Sequence, residues 1–184
     1  MFDSEPLDQR CHFETERLLV ASWKNLVSGF SDKNDFADKV VSLMTPVVTG
    51  SLPEGWQDID SREKAADWIK ARADESTFLT VQLLSSKELA GFVFLHDAVR
   101  SANGSIDLKI GYLLSEVTWG KGLGSELIDG LVTWCERAGD IASVSGGVDA
   151  ENLASIRVLE KNGFRKVATG ATSESVVFLE RHFR

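Results

Sequence analysis

The stretch that decides the reading is IGYLLSEVTWGKGLGSELI, residues 110–128. Its first half, continuing from Ile106 to Leu114, is apolar and β-branched at the start and reads as a strand. Its second half changes period. Leu123, Leu127, Ile128, Leu131, Val132 and Cys135 fall at the spacing of one helix face. Between the two lie Gly120, Gly122 and Gly124, alternating with Lys121 and Leu123. Without side chains at three positions, a ligand can approach this backbone closely. The first amides of a helix have no partner within it, and the positive end of the dipole lies behind them. Such a terminus binds phosphate, and Lys121 can add charge or point to solvent. The bland alternative is a glycine-rich turn that only tightens the strand-helix packing. Other phosphate loops fit poorly, because the lysine precedes the later glycines and the spacing is GxGxG, deep in the chain.

Composition limits the classes. With 184 residues the chain is long enough for one domain with a continuous core. Its 43% hydrophobic and 26% charged residues are those of an ordinary globular protein. There is no apolar run of membrane-spanning length and no secretory-type start, so a cytoplasmic protein away from membranes is expected. Cys11 and Cys135 are far apart and match no zinc spacing, so reduced thiols and no metal are expected. The net charge of −8 argues against binding nucleic acid, and suits either a cationic substrate or simple solubility.

Working outward, Arg17–Trp23 reads as an opening strand, with residues 1–14 as a flexible or peripheral segment. Asn34 to Glu75 is helical in two pieces, broken at Thr45-Pro46 and around Gly50 to Gly55. The second piece has start signals in Ser61 and Glu63, and an apolar face of Ala65, Trp68 and Ile69. Residues 46–60 form the longest irregular segment, where Trp56 suits a binding site or the core equally, while Trp68 suits the core. Strands follow at Thr77–Leu84, Leu89–Leu95 and Ile106–Leu114. Phe92-Val93-Phe94-Leu95 lacks polar alternation and should be central, covered on both faces. After the helix from Leu123 come a strand at Ile141–Val148, a helix from Asn152 to Lys161 closed by Asn162-Gly163, and strands at Phe164–Thr169 and Ser175–Phe183. This is a mixed α/β pattern on a largely antiparallel sheet.

Three segments, TERLLVASW (15–23), IGYLLSEVTWGKGLGSELI (110–128) and NLASIRVLEKNGF (152–164), together resemble the GCN5-related N-acetyltransferase (GNAT) superfamily, in the branch of the ribosomal-protein alanine acetyltransferases. The resemblance covers most of the chain from Thr15 onward and is weakest over 34–75. It implies one α+β domain over 1–184, with about seven mostly antiparallel strands, splayed between the fourth and fifth, and about four helices. It implies acetyl-CoA as co-substrate without a metal, and a primary amine on a small molecule or a peptide as acceptor, in a monomer or homodimer. The backbone of Leu113 and Leu114 would pair with the pantetheine arm as an added strand. The amides of Trp119, Gly120, Lys121, Gly122, Leu123, Gly124 and Ser125 would hold the pyrophosphate. Trp119 stands where relatives usually carry Gln or Arg, a departure shared with the ribosomal-protein branch. Asn152 would reach the pantetheine and Ser155 the thiol, with helix capping as their bland alternative.

Acetyl transfer requires a neutral amine, so a base must take a proton, and an acid can protonate the departing thiolate. Leu159 stands where many relatives carry an acidic tyrosine, which leaves Ser155 as the candidate acid. Lys109 stands where many carry a glutamate base. Asp107, on the same strand face as Lys109, is the first substitute, with Glu116 and His96 as further options. Each of these has a bland reading as a polar residue at a strand end or surface, and ordered water can also serve. Glu126 is expected to support the first helical turn. Two other functions compete with the enzyme: a non-catalytic acyl-CoA-binding regulatory module, and an α/β domain whose glycine turn is structural only.

Overall fold

The computed structural model describes residues 5–29, 34–168 and 175–183, and of residues 97–99 the backbone only. In chain order the elements are α1 (Leu7–Arg10), β1 (Phe13–Glu14), β2 (Leu18–Ser22), α2 (Trp23–Val27), α3 (Asn34–Leu43), α4 (Pro46–Thr49) and α5 (Arg62–Glu75). There follow β3 (Thr77–Leu83), β4 (Leu89–Arg100), β5 (Ile106–Leu114), α6 (Leu123–Ala138), β6 (Ile141–Asp149), α7 (Leu153–Lys161), β7 (Arg165–Lys166) and β8 (Val176–His182). The strands form one sheet in the order β1-β2-β3-β4-β5-β6-β8-β7. β1/β2, β2/β3, β6/β8 and β7/β8 pair antiparallel, and β5/β6 pairs parallel. The class is the mixed, mostly antiparallel α/β fold expected.

The counts differ for local reasons. Among the described residues there are eight strands and seven α-helices. The extra strand is β1, which precedes the expected opening strand, so the parting expected between the fourth and fifth strands concerns β5 and β6. The extra helices α1, α2 and α4 are single turns. Pro46 starts α4, with the Thr45 hydroxyl accepting from the Val48 amide. Of the N-terminal segment expected to be flexible or peripheral, the described residues from Glu5 form α1 and the edge strand β1, with Cys11 fully buried. The expected strand Phe164–Thr169 is reduced to β7, and Thr169 lies outside the described residues. No helix among the described residues is long and apolar enough to cross a membrane.

The chain divides into two compact units. The first comprises Met1–Phe94 and Tyr112–Trp119, the second Leu95–Gly111 and Gly120–Arg184. The first is built on aromatic packing. Phe36, Phe78, Phe92 and Phe94 are all buried, as is Trp68 from the expected apolar face of α5. Phe78 stacks on Phe94 at 5.1 Å between ring centroids, and Trp68 tilts over Phe92 at 5.4 Å. Such pairs contribute about 0.5–1.5 kcal/mol each beyond their buried area. Trp56 joins them edge-on, 4.8 Å from Phe94, with the Arg72 guanidinium 4.5 Å over its ring. The core reading of Trp68 holds, and Trp56 packs against the same cluster.

In the second unit α6 packs on β6 and α7, and α7 packs on β8. The α6 face is the one expected: Leu123, Leu127, Ile128, Leu131, Val132 and Cys135 are all buried. Gly139 ends α6 with φ of 72°, the left-handed conformation that costs glycine little. Arg181 on β8 links three elements, donating to the Asn162 carbonyl after α7 and, at 2.9 Å, to Glu136 on α6.

Candidate functional site

In the second unit the turn into α6 has the geometry its glycines suggest. Gly120 and Gly122 have φ of 71° and 79°. Gly122 is the N-cap of α6, and no side chain caps the helix there. The early amides of α6 are therefore left for a ligand or solvent. A Cβ built on Gly120 would meet nothing within 4 Å, so the approach to this backbone is open. The Leu123 side chain is buried in the core, which leaves only its amide for a ligand. Lys121 is exposed. Behind the turn, the Asn162 side-chain Nδ2 donates to the Ser125 carbonyl at 3.3 Å and the Val158 carbonyl at 2.8 Å, tying the start of α6 to the end of α7.

Asn152 caps α7 through its side-chain oxygen, which accepts from the Ser155 amide at 3.1 Å. Capping is thus realised, but it uses only the oxygen and leaves the Nδ2 group able to donate to a ligand. Ser155 is half-buried in the first turn. Leu159 is 1% exposed, a core residue that cannot replace the missing tyrosine.

The sheet of this unit parts between β5 and β6. Their parallel pairing runs from Ile106↔Ile141 to Lys109↔Ser145, with a bulge that leaves Ala142 as the extra residue on β6. β5 continues to Leu114, while β6 stays paired with β8 as far as Asp149↔Val176. Where the pairing stops there is a cavity of about 310 Å³, lined by His96, Lys109, Ile110, Ser145, Gly146, Gly147 and Phe178. Successive residues of a strand face opposite sides of the sheet. The lining includes both Lys109 and Ile110, and both Ser145 and Gly146, so residues of both strand alternations border the cavity. Gly147 leaves space for the partly exposed Phe178 ring; a Cβ there would approach that ring to 3.1 Å.

Residues paired across strands share a face. The registers therefore set Lys109, Ser145 and Glu180 in one row and Asp107, Ser143 and His182 in the next. Within these rows the Ser143 hydroxyl donates to Asp107 at 2.6 Å, and His182 pairs with Glu180 at 3.1 Å. Asp107 shares the exposed face with Lys109 as expected, but Asp107 does not line the cavity.

The remaining named residues belong to the first unit. Leu113 is buried and Leu114 half-buried. A Cβ on Gly91 of β4 would come within 2.2 Å of the Leu113 carbonyl oxygen, so glycine is required for that strand approach. Glu116 is exposed in a 3-10 turn, Glu116–Thr118, which the Thr118 hydroxyl ties to the Ser115 carbonyl at 2.6 Å. Trp119 folds back, its indole N–H donating to the Leu114 carbonyl at 2.9 Å, with 48% of the residue exposed. That bond gives the tryptophan a local structural role.

Sequence reasoning singled out neither Ser145, Gly146, Gly147 nor Phe178. The paired glycines inside a strand were the available signal, since glycine there often marks a close approach.

Comparison with known proteins bears on the family and the fold. The family model described as acetyltransferase (GNAT) domain matches residues 30–165. Probable N-acetyltransferase YjcK of Bacillus subtilis is 33% identical over 93 residues, half of each chain, so this chain spans about half the length of that curated relative. A GNAT-family acetyltransferase from Bacillus anthracis superposes with a TM-score of 0.71 at 16% identity, covering 93% of this chain and 98% of that one. The ribosomal L7/L12 α-N-protein acetyltransferase RimL, solved with coenzyme A, superposes at 0.68 with 17% identity, covering 92% and 96%. At these identities the two structures establish the fold.

Proposed function

Because the chain belongs to the acetyltransferase (GNAT) family, we propose that this acyltransferase moves an acetyl group from acetyl-CoA to a primary amine, by direct attack in a ternary complex. The observation that carries the reading is the uncapped start of α6 at Gly122, with left-handed glycines at 120 and 122. A Cβ or a side-chain cap would obstruct a pyrophosphate there; neither is present. The reading assigns roles to the residues named from the sequence. The amides from Gly120 to Ser125 hold the pyrophosphate, Leu113 and Leu114 offer their backbone to the pantetheine, and Asn152 donates from Nδ2; the Trp119 amide, expected to join them, instead donates to the Glu116 carbonyl at 3.0 Å and closes the 3-10 turn. When bound, the co-substrate supplies a thioester whose carbonyl carbon accepts the amine.

The protein's own contribution is positioning and proton handling. Ser155 protonates the departing thiolate. Asp107, Glu116 and His96 are the groups from which the proton acceptor is drawn. Backbone amides at the parted strands polarise the carbonyl. The acceptor is a peptide N-terminus or a small amine, and the first is favoured by the ribosomal-protein acetyltransferase named among the structural neighbours. The family match spans residues of both compact units, which supports reading 1–184 as one functional domain. Two buried free cysteines suit a reducing, cytoplasmic setting.

The buried Leu159 in place of an acidic tyrosine favours one second reading, a module that binds acyl-CoA without turning it over. Calorimetry with acetyl-CoA, followed by a thiol-release screen over peptides and small amines, separates the two. Binding with release supports the enzyme, binding without release across the panel supports the module, and no binding at millimolar concentration removes both. Gly122→Asp puts a side chain and a negative charge at the pyrophosphate turn, and should weaken acetyl-CoA binding by about 10-fold or more. Unchanged affinity would remove the turn from the site.

A further inference from the structure

We propose that His96 is the group that takes the proton from the acceptor ammonium, at the parting of β5 and β6. The inference rests on the acetyl-transfer reading and adds the identity and place of the base.

The cavity at the parting lies where the pairing of β5 with β6 ends, and a concave site of this kind is where a donor and an acceptor can be brought together. Of the side chains that line it, His96, Lys109 and Ser145 carry polar groups. A lysine side chain in its ordinary ammonium form, as at Lys109, offers donors and no lone pair. Ser145 is a hydroxyl and too weak a base. Imidazole is the side chain that changes charge between pH 5 and 8, and so can both take a proton and release it within a turnover.

The two carboxylates named from the sequence are differently situated. Asp107 lies outside the lining and accepts the Ser143 hydroxyl at 2.6 Å, and Glu116 is exposed in the 3-10 turn of the other unit. By the registers, the charged groups sharing the face of Lys109 among the described residues of β5 to β8 are Asp107 on β5, Asp149 on β6, Glu180 and His182 on β8, the last two paired at 3.1 Å, and Arg165 on β7, opposite Glu180. β6 contributes only the hydroxyls of Ser143 and Ser145 to the rows of Asp107 and Lys109.

The reaction balances with these groups alone. A ring nitrogen of neutral His96 takes one proton from R–NH3+, leaving R–NH2. The amine nitrogen then bonds to the thioester carbonyl carbon as the carbon–sulfur bond breaks. The second amine proton goes to the leaving sulfur, through Ser155 on this reading. The products are the amide, the free thiol and an imidazolium, which returns its proton to water.

The test compares wild type with His96→Gln, which keeps the size and hydrogen bonding of the side chain but not its basicity. Thiol release with the best amine of the panel should fall about 100-fold or more at pH 7.5. The loss should fall in kcat more than in KM, the acidic limb of the kcat/KM profile should flatten, and added imidazole should restore part of the rate. Acetyl-CoA affinity by calorimetry should stay within about threefold. His12→Gln, at an exposed position in the first unit, should leave the rate unchanged. A second readout needs no turnover. In carbon-13 histidine spectra, the signal that His96→Gln removes should move when acetyl-CoA is added, and the His12 signal should not. Full activity of His96→Gln with an unaltered pH profile, or a His96 signal indifferent to acetyl-CoA, would overturn the assignment while leaving acetyl transfer standing. Wild type that fails to bind acetyl-CoA would overturn acetyl transfer itself.

Discussion

Replacing Gly91 by alanine tests the strand approach on which the proposed pantetheine contact depends. The added Cβ would lie 2.2 Å from the Leu113 carbonyl oxygen, 2.7 Å from Leu114 Cδ2 and 3.1 Å from Leu114 Cα. The closest of these is backbone, which cannot rotate away. Real Cβ atoms essentially never approach closer than 3.0 Å, so the Leu113 carbonyl must retreat by about 0.8 Å or more. The neighbouring bond from the Ser115 amide to the Ala90 carbonyl, 2.8 Å long, resists that movement. Overpacking of this kind costs about 1–3 kcal/mol, which for a chain of this size lowers Tm by about 2–12 °C. Losing one backbone contact to the pantetheine would add about 0.5–1.5 kcal/mol of lost affinity, or about 2- to 12-fold in Kd. Two other glycines calibrate the result. Gly55→Ala meets nothing within 4 Å at an ordinary φ, and should be neutral or stabilising by about 0.4–1 kcal/mol. Gly104→Ala also meets open space but has φ of 86°, so backbone strain alone should cost about 1–2 kcal/mol. Thermal unfolding of the three variants, with acetyl-CoA calorimetry on the folded ones, gives the comparison. If Gly91→Ala is as stable as Gly55→Ala and binds acetyl-CoA like wild type, the steric reasoning and the contact at Leu113 are both wrong.

Ser155→Ala should lower kcat by about 100-fold while leaving the α7 cap intact, because Asn152 bonds the backbone amide at that position and not the hydroxyl; a kcat within threefold of wild type would exclude Ser155 as the acid. Burial pushes the Cys135 thiol up to about 12, against a smaller opposing effect of Arg181. Iodoacetamide at pH 8 should therefore leave Cys135 unlabelled in the folded chain and label it in urea, as read by peptide mass spectrometry. Because the folded state holds this proton more tightly than the unfolded chain, the associated stability is intact below about pH 9 and is lost as pH rises toward about 12. Cys135→Ala should flatten that alkaline decline in urea midpoints, and an unchanged slope would assign the decline to other groups.

The elements most legible in the sequence were those governed by neighbours along the chain. Ser61 and Asn152 accept the expected first-turn amides. Leu123 to Cys135 faces the core at helical spacing, and Phe92 to Leu95 is buried on both faces of a central strand. The short elements were not legible. A two-residue strand such as β1 or β7 has no period to read, and exists only because β2 or β8 offers it a partner. The N-terminal segment is polar in sequence, and its elements rest on tertiary partners, β1 pairing with β2 and α1 packing on β2 and β3, with Cys11 buried beside them.

The glycine turn, the start of α6 and the cap of α7 were thus determined by the sequence itself, since left-handed φ, open amides and first-turn acceptors are properties of a few adjacent residues. The cavity was decided by tertiary structure alone. His96, Lys109, Ser145, Gly147 and Phe178 come from four strands, and what unites them is where the pairing of β5 with β6 ends. Register between distant strands depends on how whole faces are buried, and no local pattern encodes it. The same cause removed Asp107 from the lining and brought His96 into it: both were readable as polar strand residues, and only the register distinguished them.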